Sequence, residues 1–264
     1  MRWIISVLTA VFLALPAAAD GLRLVTAELP PYTFHEPPPT VSEIGHPMGI
    51  VQETVAEMAR RVGQSPDVEY MAWTRAQDLT MTGKNIGILS LTRTPEREPH
   101  YKWIQQIAVD DLILAGGAGV DVSSLDAVKN RRVGVLLHSG AETLLQSLGI
   151  TRIEPAGEEW INAQRMKDRR IDAWLAPRLM VIYAYKQVSG DAALLTFGQI
   201  VRPSEIWFAS SPDVSDEVAA RWQAAFKAME ADGTYARIAA RYRALRVEPV
   251  PENVLRRHEE LWIN

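Results

Sequence analysis

Residue types that commonly carry catalysis are sparse in this chain and poorly clustered. The five histidines are His35, His46, His100, His138 and His258. None is paired at metal-ligand spacing. The chain has no cysteine, so it has no CxxC pair and no disulfide scaffold. There is also no GxGxxG after a strand, no P-loop, no HExxH and no GxSxG. No metal or cofactor is expected, and what remains is the chemistry of binding. Ser139-Gly140-Ala141-Glu142 follows an apolar strand and matches a capping box that opens a helix. Free N–H groups at such a helix start suit a carboxylate, although capping alone explains Ser139 and Glu142. His138, just before it, stands where α/β sheets bind ligands or is a loop imidazole bonded to backbone. Arg97 lies in Thr94-Pro95-Glu96-Arg97. A guanidinium offers parallel N–H donors that match the two oxygens of a carboxylate. Thr94 before Pro95 reads as an N-cap with proline at the first helical position. On its residues alone, Arg97 reads first as a surface arginine pairing with Glu96 or Glu98.

The elements that must position these residues alternate between strand and helix. Strands are expected at residues 22–26, 68–71, 86–91, 133–137, 171–175, 194–197 and 206–209, with a short one near Ile153. Helices are expected at 50–62, 75–81, 141–148, 158–167, 177–188, 214–230 and 234–242, and the tail at 251–261 is read as one more. The helix at 50–62 puts Ile50, Val51, Val55, Met58, Ala59 and Val62 on one face. Such alternation means a parallel, doubly wound sheet. The break near residue 110 divides the chain into two α/β units. The join at 107–111 is itself strand-like, which suits a hinge better than a loose tether.

The chain has 264 residues, 47% hydrophobic and 23% charged, with a formal net charge of -4. That composition is globular, and its mild acidity argues against non-specific binding to nucleic acid. Residues 1–19 read as a signal peptide. Arg2 is followed by a short apolar core, and Ala17-Ala18-Ala19 is the cleavage site. Cleavage after Ala19 implies an exported protein, expected in the periplasm, and no cysteine is present to carry a lipid anchor.

Four stretches together carry a family resemblance. They are Val25-Thr26-Ala27-Glu28-Leu29-Pro30-Pro31-Tyr32-Thr33-Phe34, Gly45 to Gly49 leading into the next helix, Ser90-Leu91-Thr92-Arg93-Thr94-Pro95-Glu96-Arg97-Glu98, and Ala231-Asp232-Gly233-Thr234-Tyr235. In this order the chain resembles family 3 of the periplasmic solute-binding proteins, the substrate-binding type of polar amino-acid ABC transporters. The resemblance implies an α/β fold of two doubly wound lobes joined by two hinge crossings, the type II periplasmic binding fold. Lobe one would be residues 20–109 plus 204–264, and lobe two 110–203. It further implies a monomer that binds a small anionic or zwitterionic solute in the interlobe cleft and hands it to a membrane permease.

Residue by residue, the resemblance makes Arg97 the clamp for the ligand carboxylate. Ser90 and Thr92 become ligand contacts through hydroxyl or backbone groups. Trp73 and Arg75 fall in the cleft-wall region, where Trp73 could instead be core. Tyr32 and Glu28 flank the end of the first strand, Tyr32 as a wall and Glu28 as an acceptor for an amine. Ser139 and Gly140 contribute from lobe two. Amino-acid binders of the family carry an acidic residue for the ligand ammonium just after the Ile171-Asp172-Ala173 strand; that position is Pro177 here. Either Glu28 or another acid substitutes, or the ligand is not a standard α-amino acid. Two alternatives stand beside transport. One is a cyclohexadienyl dehydratase-like enzyme using Glu28 or His138, and the other is a ligand-sensing partner of a membrane receptor.

Overall fold

The computed structural model describes residues 21–35 and 48–244. The expected signal peptide, the stretch from Gly45 to Pro47 and the expected tail helix lie outside the described residues.

The strands are β1 (Arg23–Thr26), β2 (Val68–Tyr70), β3 (Ile86–Thr92), β4 (Lys102–Gly116), β5 (Val133–Leu136), β6 (Ile153–Ala156), β7 (Ala173–Pro177) and β8 (Thr196–Ser210). The helices are α1 (Ile50–Arg61), α2 (Trp73–Thr82), α3 (Gly140–Ser147), α4 (Glu159–Lys167), α5 (Arg178–Ser189), α6 (Asp216–Ala231) and α7 (Thr234–Ala244). The strands form one sheet of order β2-β1-β3-β8-β4-β7-β5-β6. β1 pairs in parallel with β2 and β3, and β5 pairs in parallel with β6 and β7. Each flank is thus a β-α-β-α-β unit whose first strand lies in the middle, as expected where helices return a chain between parallel strands. Between the flanks, β8 and β4 run antiparallel to each other and to their outer neighbours β3 and β7. These two long strands are the crossings between the lobes.

Each crossing differs from its expected form. Two short strands, at 194–197 and 206–209, were expected, with Arg202-Pro203 between them. They are one strand instead. Proline is tolerated in a strand where its missing N–H faces no ladder partner. Pro203 pairs with Asp111 on β4, while β3 covers β8 only from Ile206 to Ser210. Pro203 therefore lies beyond the reach of β3. β4 likewise extends well beyond the strand-like join expected at 107–111, from Lys102 to Gly116, and bulges along its pairing with β8 let both strands twist.

Apolar burial follows the two flanks. One cluster joins β1, α1 and β3 to α6 and α7, with Val25, Met58, Ile88, Phe208 and Trp222 at its centre. Two others cover the faces of the second flank, one around Leu114, Val135 and Leu145, the other around Trp174, Val181 and Tyr185. Leu136 and Met180 come from the second flank yet pack into the first cluster. The halves are therefore in apolar contact across the space between them. Helix caps set where the elements end. Gly63 (φ +78) follows α1 in the left-handed region that favours glycine. The Ser139 side chain accepts the Glu142 N–H at 3.2 Å, so the expected N-cap opens α3, but the Glu142 carboxylate accepts the His138 N–H rather than the Ser139 N–H that the expected capping box would use. α7 is tied to β4 where the Tyr235 hydroxyl donates to the Ile107 carbonyl. The Gly49 N–H donates to the Tyr242 hydroxyl, which brings the start of α1 under α7. Among the described residues no helix is long and apolar enough to cross a membrane.

Candidate functional site

The ends of β1, β3, β5 and β7 converge on a cleft between the two flanks, where open α/β sheets present their ligand sites. The space left between its walls is narrow, about 40 Å3, and it opens toward solvent at its mouth. Seven of the nine residues expected to bind ligand line it: Tyr32, Trp73, Ser90, Thr92, Arg97, Ser139 and Gly140. Glu28 and Arg75 do not. Glu28 accepts the His35 N–H at 2.7 Å. Arg75 is exposed, because it falls on the outer face of α2 while Trp73, Ala76 and Gln77 take the inner one.

Ser90 occupies an irregular rung. The pairing of β3 with β8 shifts between Ile88 and Leu91, and Ser90 adopts φ 62 inside that shift. A non-glycine residue at positive φ is strained and is held there by its surroundings. Its hydroxyl is buried with no hydrogen-bond partner, a position that a ligand polar group would satisfy. Thr92 ends the same strand. The segment after it does not form the expected helix from Pro95. It is a turn in which the Arg97 and Glu98 N–H groups return to the Thr94 carbonyl, and it continues into a three-residue 3-10 helix at Glu98–His100.

Arg97 is placed by that turn. Its guanidinium donates to the Thr92 carbonyl at 3.0 Å, the Gln77 side-chain oxygen at 2.8 Å and the His138 carbonyl at 2.8 Å. Every one of these acceptors is neutral. The pairing with Glu98 that was one reading of Arg97 belongs instead to Arg93, which also stacks over Trp103 and Trp207. Desolvation pushes the pKa of Arg97 down to about 10, and nearby Arg202 lowers it further while Tyr101 and Glu96 oppose the shift. It stays charged at neutral pH, as a half-buried cation with no ion pair. The cost of such a group falls when an anion arrives.

His138 adopts φ 57 and turns its carbonyl toward the other half, where it accepts from both Arg97 and Gln77. The imidazole does not line the cleft; the backbone of His138 does the bridging. Trp73 fills both of its expected roles, since it is buried in the first cluster and lines the cleft. The Tyr32 hydroxyl donates to Asp110 at 2.5 Å, and Asp110 also accepts the Leu179 N–H at 2.9 Å at the start of α5. Burial and the neighbouring Asp110 push the Tyr32 pKa well up, so it remains a donor. Next along β4, Asp111 forms a buried ion pair with Arg178 at 3.0 Å.

Besides Ser204 and several apolar side chains, sequence reasoning missed the two charged lining residues Arg202 and Glu159. Arg202 lies on β8 opposite Leu112. Glu159 opens α4 and accepts from Asn162 at 3.0 Å and the Trp174 indole at 2.9 Å. Burial pushes its pKa up to about 7. Among the described residues no group of three His, Asp or Glu side chains could hold a metal ion.

Comparison with known proteins matches residues 23–244 to the model of the bacterial extracellular solute-binding proteins, family 3. Many solved structures share the fold. An ancestral arginine-binding protein bound to glutamine superposes with a TM-score of 0.68 at 21% identity, covering 83% of this chain and 96% of that one. An ABC uptake transporter substrate-binding protein from Streptococcus pneumoniae with bound histidine gives 0.70 at 13% identity, covering 82% and 90%. The ancestral amino acid-binding protein AncCDT-1, a precursor of cyclohexadienyl dehydratase, gives 0.66 at 18% identity, covering 83% and 93%. At these identities the likeness concerns the fold. No curated protein sequence matches the chain.

Proposed function

Because the chain belongs to the bacterial extracellular solute-binding proteins, family 3, we propose that it binds a small, amino-acid-like solute bearing a carboxylate. The solute sits between lobe one (residues 20–109 plus 204–264) and lobe two (110–203). The observation that carries this reading is Arg97, a half-buried guanidinium on the cleft wall whose hydrogen bonds all go to neutral oxygens. A carboxylate would supply the missing charge through parallel N–H···O bonds. Ser90 and Thr92 at the end of β3 would hold the solute from lobe one. Ser139 and Gly140 would meet it from lobe two with N–H groups of the α3 start.

Closure follows from the same contacts. Arg97 and Gln77 belong to lobe one, and the His138 carbonyl belongs to lobe two. Bonds of this kind exist only when the lobes meet, so a ligand that completes the wall stabilises the closed form. The exported protein would act as a monomer and present the closed form to the permease of an ABC transporter. Arg97→Ala tests the anchor. It should abolish ligand-induced thermal stabilisation and remove about 2–5 kcal/mol of binding free energy. Near-normal binding in calorimetry would refute the assignment.

One observation favours a second reading, catalysis in the same cleft. Glu159 lines it with a pKa pushed up to about 7, the range of a general acid or base. Both oxygen-bound donors of Glu159, Asn162 and Trp174, are structural neighbours on its own lobe, which fits a buried structural acid better. Solute recovered chemically unchanged after long incubation supports binding, and a new product supports catalysis.

A further inference from the structure

We propose that the cleft selects a solute carrying two carboxylates, with Arg97 holding one and Arg202 the other. This rests on the reading of the cleft as a carboxylate site and narrows it to a ligand class.

The argument is one of charge accounting. Arg202 extends from β8 to the start of α3, where a methyl added to Gly140 would lie 3.7 Å from its guanidinium. A helix N-terminus already carries partial positive charge. A cation placed there is unfavourable until an anion joins it. Arg202 forms no hydrogen bond and no ion pair among the described residues, and Arg97 forms no ion pair. The carboxylate that feels both is Glu96. It is exposed, lies beyond ion-pair distance of either, and is held by the Thr94 hydroxyl and its own N–H. Asp78 and Glu142 border the outer side of Arg97, again with no ion pair to it. Within the lining itself the acid is Glu159, whose bonds go to Asn162 and Trp174.

Pro177 lines the cleft and has no side-chain acceptor for an ammonium. A zwitterion with one carboxylate would satisfy one guanidinium and leave the other unpaired, while the one acid of the lining, Glu159, is already engaged by Asn162 and Trp174. A dicarboxylate matches both cations and brings no amine. Each guanidinium can grip its carboxylate through two parallel N–H groups.

The test is calorimetry on the purified protein with linear dicarboxylates from malonate to adipate. Each is compared with its own monoamide, which keeps the size and removes one charge, and with glutamine. At one chain length the dicarboxylate should bind at least about tenfold more tightly than its monoamide. Arg202→Gln should erase that preference and leave both at the weaker level, and Arg202→Lys should restore part of it. Glutamine or a monoamide binding wild type as tightly as every dicarboxylate overturns the proposal, and this comparison needs no variant to fold. Arg202→Gln retaining the full preference overturns it as well. If instead Arg97→Gln leaves the binding of every carboxylate intact, or none binds wild type, the carboxylate reading itself fails.

Discussion

Glu159→Gln reports on how the cleft floor manages charge. The Glu159 side chain is 6% exposed. Two N–H donors on one oxygen favour its ionised form, yet burial outweighs them and lifts its pKa from 4.5 to about 7. An acid with a raised native pKa contributes in a defined direction. Below about 4.5 both folded and unfolded chains hold the proton, and no difference arises. As pH climbs from there to about 7 the unfolded chain releases its proton first, and stability is lost. Above that range the loss is constant. The displacement corresponds to about 3 kcal/mol at most, a large share of the roughly 5–15 kcal/mol that holds a domain folded. Glutamine is neutral throughout and keeps an acceptor for the Trp174 indole. The assay is urea unfolding followed by tryptophan fluorescence at pH 5, 6, 7 and 8, for wild type and Glu159→Gln. Other titrating groups are common to both proteins and cancel in the difference. That difference should shift in favour of the variant by 2 to 3 kcal/mol, roughly, between the ends of the series. A difference that stays flat within about 0.5 kcal/mol would mean that Glu159 is solvated and ionised, and the reasoning would be wrong.

Three further outcomes are expected. Gly140→Ala puts a methyl 3.1 Å from the Thr94 methyl on the opposite half; calorimetry should show affinity weakened by about 1 kcal/mol, with unfolding in urea little changed. Gly49 (φ +99) lies so close to Tyr32 that an added Cβ would sit 2.2 Å from its carbonyl oxygen. Because backbone cannot move aside, Gly49→Ala should lower unfolding free energy by roughly 3 kcal/mol or more, and an unchanged urea midpoint would contradict that. The radius of gyration from X-ray scattering should fall when a bound solute saturates the protein, and a constant value would count against closure of the lobes.

Much of this architecture is legible in the chain because strand and helix periods differ. Apolar runs such as Ile86 to Leu91 and the striped helix from Ile50 announce their elements directly. The Ser139 N-cap is equally local, and the structure forms it, with Glu142 reaching back to the His138 N–H instead of closing the full capping box. Arg97 is different. Its local sequence fits a surface salt bridge first and a ligand clamp second, and only the family pattern separates the two. What escaped detection depends on partners far apart in sequence. Pro203 reads as a strand breaker until β4 is seen to be its ladder partner there, with β3 out of reach. Arg202 sits beside that proline and was hidden with it. Glu159 looks like any acid in the first turn of a helix, since nothing local reveals Trp174 pressing on it. Tyr32 was named as a wall, but its bond to Asp110 spans 78 positions and has no local signature.

The ladder between β4 and β8 has a consequence for how such a molecule can be taken apart. Val109 faces Glu205 and Asp110 faces Ser204 on adjacent rungs. The stretch between them, with one flank of the shared sheet and two apolar clusters, has two ends that leave the rest of the molecule side by side. A short hairpin turn can bridge that gap. The remainder would keep β1 to β3 and the helices α1, α6 and α7 around an interior that loses only Leu136 and Met180 of the second flank. The excised stretch would take with it the α3 and α4 starts and Arg202, so the two pieces would divide the charges of the pocket between them. Recombining each piece with counterparts from relatives is then a matter of joining two neighbouring strands, with no loop to rebuild.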